Sequence, residues 1–323
     1  MRAVVVHEPG GPDVLKVEER SVPVVRPGWV AVRIRAFGLN RSELITRAGG
    51  SGDAVPFPRV LGIECVGEVF DAVGASLTRG QAVIAAMGGM GREFDGGYEE
   101  YALLPIASVI PVRTNLSWPE LATIPETFGT AWGSLDTLHL QKGELLLIRG
   151  ATSSVGMAAI TLAKARGVTV IGTTRRVEKR AALEANAVDH VIIDDGAVGS
   201  RVRELIPGGV DALLELVGPS TIPDSLAALR GGGRACLSGF LGENWDRNFA
   251  RDAAARAGIA FGNFSSTVID VDSYSNIYQS IIDGAEAGTY RLNLDRTFPL
   301  TKIADAHRYM EANSACGKVV GVN

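Results

Sequence analysis

The stretch Leu145-Leu-Leu-Ile-Arg-Gly150-Ala-Thr-Ser-Ser-Val-Gly156-Met-Ala-Ala decides the fold class of this chain. A short aliphatic run ends at Gly150, a turn of small residues follows, and Gly156 opens an alanine-rich helical pattern. A dinucleotide-binding fold needs this order, because the pyrophosphate is held by bare backbone N–H groups at a helix N-terminus. Ser153 stands where a G-x-G-x-x-G motif can have its middle glycine. The motif alone therefore also fits an ordinary strand–turn–helix unit.

The residues after this loop strengthen the prediction. A helical pattern over Val155–Arg166 is followed by a second strand pattern, Val168–Gly172, which completes a strand–helix–strand unit. An NAD-binding fold places an acid at the end of that strand, against the ribose 2′-hydroxyl. Here the segment is Thr173-Thr-Arg-Arg176, with Lys179 one turn later. Guanidinium groups bind a 2′-phosphate, so we predict NADPH over NADH; a solvated basic helix start is the alternative.

Length and composition limit the possible classes. The 323 residues suggest about two domains, and 46% hydrophobic residues are ample for two cores. A net charge of −4 argues against a nucleic-acid partner. The sequence has no apolar run near the roughly 18 residues that span a membrane, and no secretory leader pattern. Because no run is long enough to span a membrane, we expect no membrane partner. The three cysteines are far apart and form no C-x-x-C pair, so we expect a cytoplasmic protein without disulfides.

The pattern divides the chain into two parts. Up to about Trp118, short strand runs separated by Gly and Pro predict an antiparallel, barrel-like domain. These runs are Arg2–Val6, Trp29–Arg35, Cys65–Phe70, Gln81–Ala85 and Tyr98–Leu104.

From about Pro119, strands alternate with helices, and six strand candidates predict a doubly wound parallel sheet. They are Leu145–Arg149, Val168–Gly172, Asp189–Ile193, Asp211–Val217, Gly233–Gly239 and Gly258–Phe261. The final helix, Thr301–Asn313, and strand, Lys318–Val322, are expected to return to the first domain. We predict one domain from residues 1–118 and 263–323 and a second from residues 119–262.

Three strings resemble one superfamily. Phe57-Pro-Arg-Val-Leu-Gly62-Ile-Glu64-Cys-Val-Gly67 resembles the P-x-x-x-G-H-E-x-x-G signature of the medium-chain dehydrogenases/reductases. Gly96-Gly-Tyr-Glu-Glu-Tyr-Ala102 resembles their G-x-x-A-E-Y stretch, and the loop 150–156 resembles the A-x-x-G-x-x-G form of the quinone oxidoreductase (zeta-crystallin-like) branch. The resemblance covers nearly the whole chain. It implies an α/β protein with an N-terminal GroES-like antiparallel β-barrel-type catalytic domain and a Rossmann doubly wound parallel sheet.

The departures from the zinc enzymes of this superfamily predict that no metal is bound. Asn40 stands at the position of a cysteine ligand and Ile63 at that of a histidine ligand. An amide is a poor zinc ligand and an isoleucine is none. The four cysteines of the structural zinc lobe are also missing, since the stretch Met87–Asp95 contains glycine and methionine instead.

Without a Lewis acid, hydride from NADPH suits strongly electrophilic acceptors, whose developing negative charge is delocalised. The resemblance therefore implies a small-molecule substrate, either a quinone or an activated α,β-unsaturated carbonyl. Two alternatives stay open: an enoyl-thioester reductase, and a non-catalytic NADPH-binding protein with a structural or regulatory role. The resemblance also suggests a homodimer or higher homo-oligomer, which an exposed sheet edge near Ile259–Phe264 would favour.

Two residues are predicted at the reaction centre. Asn40 matches the family's active-site asparagine, and its amide would orient a substrate oxygen or a water; a turn-forming asparagine is the alternative. Thr130 matches a threonine near the nicotinamide ring, or is a helix residue beside a packed tryptophan. Ile45 replaces a family tyrosine, which leaves the proton donor open. Glu43 and Arg47 are expected mainly as solvated surface charges.

The predicted cofactor site combines the loop, the basic strand end and two later strand ends. The last group could also be ordinary strand-to-loop positions. The predicted NADPH-binding residues are Gly150, Ala151, Ser153, Ser154, Val155, Gly156, Thr173, Thr174, Arg175, Arg176, Lys179, Val217, Gly218, Gly239 and Phe240.

Overall fold

A computed structural model describes residues 1–74, 76–239, 241, 247–269 and 271–323. The chain divides into two compact units. The first unit contains Met1–Gly129, Ser266–Gly288 and Leu294–Asn323, and the second contains Thr130–Ser265 and Thr289–Asn293. The domain boundaries drawn from the sequence stay predictions.

The strands of the described residues carry the labels β1 to β16 in chain order. They are β1 (Arg2–Val6), β2 (Lys16–Glu19), β3 (Trp29–Gly38), β4 (Arg59–Val60), β5 (Glu64–Ala72), β6 (Ala82–Ala86), β7 (Tyr101–Pro105), β8 (Val109–Pro111), β9 (Leu145–Arg149), β10 (Thr169–Thr174), β11 (His190–Ile193), β12 (Val210–Glu215), β13 (Leu229–Leu237), β14 (Ala260–Asn263), β15 (Leu294–Pro299) and β16 (Lys318–Val322).

The α-helices carry the labels α1 to α10. They are α1 (Arg41–Arg47), α2 (Trp118–Leu121), α3 (Pro125–Thr137), α4 (Ser154–Ala165), α5 (Arg180–Ala185), α6 (Val198–Leu205), α7 (Ile222–Ala227), α8 (Arg247–Arg256), α9 (Val271–Glu286) and α10 (Ile303–Glu311). Among the described residues, none of these helices combines the length and apolar character needed to cross a bilayer.

The first unit is built on two sheets. The larger one has the order β15-β16-β3-β5-β6-β8, with β7 also paired to β3, and the smaller one has the order β2-β1-β4. All of these pairs are antiparallel except β15 with β16. The strand β3 is the centre, because its ten residues pair with three neighbours. Its buried aliphatic residues enter one core with those of β1, β5 and β6.

The second unit is built on one parallel sheet with the order β11-β10-β9-β12-β13-β14. The strand β9 lies in the middle and is aliphatic because helices cover both faces of such sheets. The strand order reverses between β9 and β12. Ligands of open α/β sheets bind at this reversal, outside the carboxyl ends of the strands. The residues after Arg149 and Glu215 therefore mark the candidate binding region of this unit.

The predicted fold class is confirmed. Every strand quoted from the sequence has a counterpart, and β1, β9 and β16 have the predicted bounds. The sequence pattern missed the short strands β2, β4, β8 and β15. The strands β2, β4 and β8 have four residues or fewer, and most residues of β2 and β15 are exposed. These segments therefore lack the alternation of apolar and polar residues that predicts a strand.

Candidate active site

The loop after β9 is shaped by a glycine and a serine. Gly150 has a φ of +81°, a conformation that glycine adopts without strain. Ser153 precedes α4, and its hydroxyl donates to the Gly150 carbonyl (2.8 Å) and accepts from the Gly156 N–H (3.1 Å). Ser153 thus closes the turn from within, which explains a serine where a middle glycine was expected. Gly156 is required, since a Cβ there would lie 2.6 Å from the carbonyl oxygen of Ala151.

The end of β10 presents two kinds of residue. Thr173 and Thr174 are buried, and the Thr173 hydroxyl accepts the Gly150 N–H (3.1 Å). The Thr174 hydroxyl accepts the N–H of Arg176 (3.2 Å). Arg175 and Arg176 are exposed. The threonines therefore shape the two loops, while the two arginines place positive charge at the exposed end of this strand.

The end of β12 is organised by a carboxylate that sequence reasoning missed. Glu215 is buried, and its Oε1 accepts the N–H groups of Val217 (2.8 Å) and Gly218 (3.3 Å). The hydroxyl of Ser225 donates to its Oε2 (2.6 Å). Burial raises the pKa of the Glu215 carboxyl. The N–H groups of Val217 and Gly218 are thus committed to Glu215, and a cofactor would meet other atoms of these residues.

The end of β13 packs directly against the segment after β12. A Cβ on Gly239 would lie 2.2 Å from the carbonyl oxygen of Leu216, so this glycine permits a close backbone approach. Phe240, the last predicted cofactor residue, lies outside the described residues.

Arg149 is the second feature that sequence reasoning missed. It ends the aliphatic strand β9, is buried, and donates to both carboxylate oxygens of Asp194 (2.8 and 2.9 Å). Its Nη1 also donates to Asp224 (2.8 Å) and to the Ser225 hydroxyl (2.9 Å). Arg149 therefore ties the loop after β11 to α7. An arginine at the end of an otherwise aliphatic strand is the signal in the sequence, because a buried cation needs carboxylate partners.

In the first unit, the side chain of Asn40 contacts three charged residues, Glu43, Glu64 and Lys318. We call these four residues the Asn40 cluster. The Asn40 Nδ2 donates to Glu43 Oε1 (3.2 Å) and to Glu64 Oε1 (2.9 Å). The Lys318 Nζ donates to Asn40 Oδ1 (2.6 Å) and to Glu64 Oε1 (2.5 Å). Asn40 precedes α1 but forms no side-chain cap. Its side chain thus faces the cluster, so the alternative of a simple turn-forming asparagine does not describe its contacts.

The expectation that Glu43 and Arg47 are solvated surface charges is wrong. Both are buried on α1. Glu43 accepts the Ile63 N–H (3.2 Å), and burial raises its pKa to about 7, partly offset by the Lys318 ammonium. Arg47 donates to the Gly10 carbonyl (3.0 Å) and to Glu311 (2.5 Å). The seven-residue helix is covered by other segments, which its own sequence could not reveal.

Thr130 lies in the second unit, on α3. It is buried, and its carbonyl accepts the hydroxyl of Ser134 (2.6 Å). The neighbouring Trp132 ring lies under the guanidinium of Arg166, 4.8 Å from its centre. The role of Thr130 near a nicotinamide ring stays a prediction.

The Asn40 cluster does not fit a zinc ion. Ile63 offers no ligand atom, and the amide of Asn40 is a poor one. The Glu64 carboxylate, which could bind a cation, already binds the Lys318 ammonium. In the part of the chain that the structure describes, no group of three His, Cys, Asp or Glu side chains is arranged to hold a metal. Metal-free chemistry remains a prediction from these donor atoms.

Two family models match the chain. Residues 26–114 match the alcohol dehydrogenase GroES-like domain, and residues 187–320 match the zinc-binding dehydrogenase domain. The human quinone oxidoreductase is 29% identical over 331 residues, covering 99% of this chain and 97% of that protein. The 2-haloacrylate reductase of Burkholderia sp is 29% identical over 338 residues, covering 98% of each.

A solved structure of an NAD-dependent alcohol dehydrogenase superposes with a TM-score of 0.88 at 28% identity, covering 100% of both chains. These matches define a class, the oxidoreductases built from a GroES-like and a dinucleotide-binding domain. Within that class, the two family models together match more than half of the chain, which belongs to the medium-chain dehydrogenase/reductase superfamily. It is similar to the quinone oxidoreductases of that superfamily, as the sequence strings indicated.

Proposed function

We propose that this oxidoreductase is a metal-free, NADPH-dependent reductase that transfers hydride to quinones or activated α,β-unsaturated carbonyls. The observation that carries the NADPH assignment is the exposed pair Arg175 and Arg176 at the end of β10. Two guanidinium groups at the position of the ribose 2′ substituent favour a phosphate, while the acid of an NAD site is absent from the sequence there. NADPH supplies a hydride when bound.

The acceptor class follows from the Asn40 cluster. Its donor atoms do not fit a metal, so an alkoxide would lack Lewis-acid stabilisation. Quinones and activated alkenes conjugated to a carbonyl spread the developing charge and need only hydrogen bonds. The names of two relatives, a quinone oxidoreductase and a 2-haloacrylate reductase, agree with such acceptors.

Different residues of the chain would bind the cofactor and the substrate. The loop 150–156 offers backbone N–H groups at the start of α4, which suits the cofactor pyrophosphate. Arg149 and Glu215 hold the loops around it through buried hydrogen bonds. We assign to the Asn40 side chain the contact with the reacting part of the ligand.

A spectrophotometric screen tests this function. NADPH oxidation is followed with benzoquinone, phenanthrenequinone, enones and enoyl thioesters, with NADH in parallel and with elemental analysis of the purified protein. We expect turnover with quinones or enones, a lower KM for NADPH than for NADH, and no stoichiometric zinc. Turnover of enoyl thioesters alone would favour the thioester reductase, and cofactor binding without any turnover would favour a non-catalytic role. A lower KM for NADH would refute the NADPH assignment.

A further inference from the structure

The side-chain amide of Asn40 is engaged by charged groups on both of its ends. A primary amide has two N–H hydrogens, and its oxygen has two lone pairs. Both hydrogens are used, toward Glu43 Oε1 (3.2 Å) and Glu64 Oε1 (2.9 Å). One lone pair of Oδ1 accepts the Lys318 ammonium (2.6 Å). These three bonds leave the second lone pair of Oδ1 for a further partner.

The charges fix which end of the amide is which. Turning the Asn40 amide over would direct its N–H groups at the Lys318 ammonium and its oxygen at the two carboxylates. Such contacts are repulsive, and in a buried site water screens them little. Glu43 keeps an acceptor oxygen whether its carboxyl is ionised or protonated, so it holds the Asn40 N–H in either state.

Asn40 is also the member of its cluster that a ligand can reach. It is 8% exposed, compared with 2% for Glu43, 1% for Lys318 and 0% for Glu64. The carboxylates and the ammonium are more deeply buried than Asn40 and bind both ends of its amide. Glu64 is itself held in place, because its Oε2 accepts the N–H of Glu126 (2.8 Å).

We propose that Asn40 presents its amide oxygen, and not its amide nitrogen, to a bound ligand, with Glu43 and Lys318 as the positioning residues that enforce this orientation. The inference rests on the proposed function, in which Asn40 faces the reacting ligand. The ligand group that meets Asn40 is then a hydrogen-bond donor. A hydroxyl fits this description, as does a water molecule whose second hydrogen points to the substrate oxygen.

Exchanging donor and acceptor between two residues tests the proposal. In the double variant N40D/E43Q, the amide introduced at position 43 can donate to the carboxylate introduced at position 40, but the Ile63 N–H then loses the Glu43 oxygen that it shares with Asn40 in the wild type. Position 40 then keeps an acceptor oxygen but has no side-chain N–H, whereas N40L loses both. With NADPH and benzoquinone, we expect kcat of N40D/E43Q to fall below that of the wild type but to exceed that of N40L at least tenfold.

A matched control makes the same exchange at an exposed pair. The Asn115 Nδ2 donates to Glu286 Oε2 (3.3 Å), and N115D/E286Q should keep the wild-type kcat. The proposal is overturned if N40D/E43Q is folded, binds NADPH and is as inactive as N40L. If N40L itself turns over like the wild type, the catalytic assignment of Asn40 fails instead.

Neutron diffraction of the wild-type protein, exchanged into heavy water and soaked with NADP⁺, gives a readout that needs no turnover. We expect both amide deuterium atoms of Asn40 on the side of Glu43 and Glu64. Deuterium density directed at the bound ligand would overturn the proposal whatever the kinetics show. This measurement also decides the case if N40D/E43Q does not fold.

Discussion

The Nζ atom of Lys318 lies 2.5 Å from Oε1 of Glu64, although the two residues are 254 positions apart in the chain. Both side chains are fully buried, one on β16 and the other on β5. A buried pair is costly to break by removing one partner, because the remaining charge is left without compensation. The last strand thus supplies the cation that the Asn40 cluster needs.

Removing that cation should destabilise the first unit. We expect K318M to lower the free energy of unfolding by about 3–5 kcal/mol, because the Glu64 carboxylate stays buried and loses its partner. K302M, at an exposed lysine on the approach to α10, is the control and should be close to the wild type. Urea unfolding followed by circular dichroism measures both. Equal stability of K318M and K302M would contradict a buried ion pair.

The arginines after β10 should separate the two cofactors. We expect R175A/R176A to raise the KM for NADPH about tenfold or more, since each lost charge-assisted hydrogen bond is worth about 1.5–3 kcal/mol. The KM for NADH should change little, because NADH has no 2′-phosphate. R201A removes an exposed arginine from α6 of the same unit and serves as the control. An unchanged NADPH KM in the double variant would show that the phosphate binds elsewhere.

The dinucleotide loop should not tolerate a methyl group. We expect G156A to destabilise the protein by about 1–3 kcal/mol, the usual range for overpacking, and to weaken NADPH binding. Its Cβ would lie 2.6 Å from the Ala151 carbonyl oxygen, and backbone atoms cannot move aside cheaply. Gly208 has no heavy atom within 4 Å of a Cβ, so G208A is the matched control. Thermal unfolding with and without NADPH compares them, and equal melting temperatures would refute the close packing.

The ionisation of Glu43 should appear in the pH dependence of stability. Its pKa is raised from 4.5 to about 7 by burial, so the native state holds a proton that the unfolded state releases. Stability from this group is present below pH 4.5, declines as the pH rises toward 7, and is lost above it. At about 1.4 kcal/mol per pH unit, the loss reaches about 3 kcal/mol.

Replacing Glu43 by the neutral glutamine tests whether this group lowers the stability as the pH rises. E43Q should not show that decline, so its stability relative to the wild type should increase between pH 4.5 and pH 7. E204Q, at an exposed glutamate of α6, should keep the wild-type slope. Urea unfolding at several pH values gives the comparison. Parallel curves for E43Q and the wild type would mean that Glu43 ionises as it does in water.

Local patterns were sufficient to predict the dinucleotide unit. The run 145–149 is aliphatic throughout its first four residues because β9 is covered on both faces, and the glycines and serine after it are set by backbone geometry within seven residues. Prediction failed where burial depends on distant segments. The sequence of α1 predicts a surface charge at Glu43, since nothing within that helix shows that Ile63 and Lys318 interact with it.

The sequence by itself determined the fold class, the superfamily and the basic end of β10, because each depends on residue types and short spacings along the chain. Only the tertiary structure decided the environment of Asn40. Its amide is oriented by Glu43 three residues away, by Glu64 on β5 and by Lys318 on β16. Electrostatic forces act through space and not along the chain, so the hydrogen-bond partners of Asn40 are set only when these strands come together.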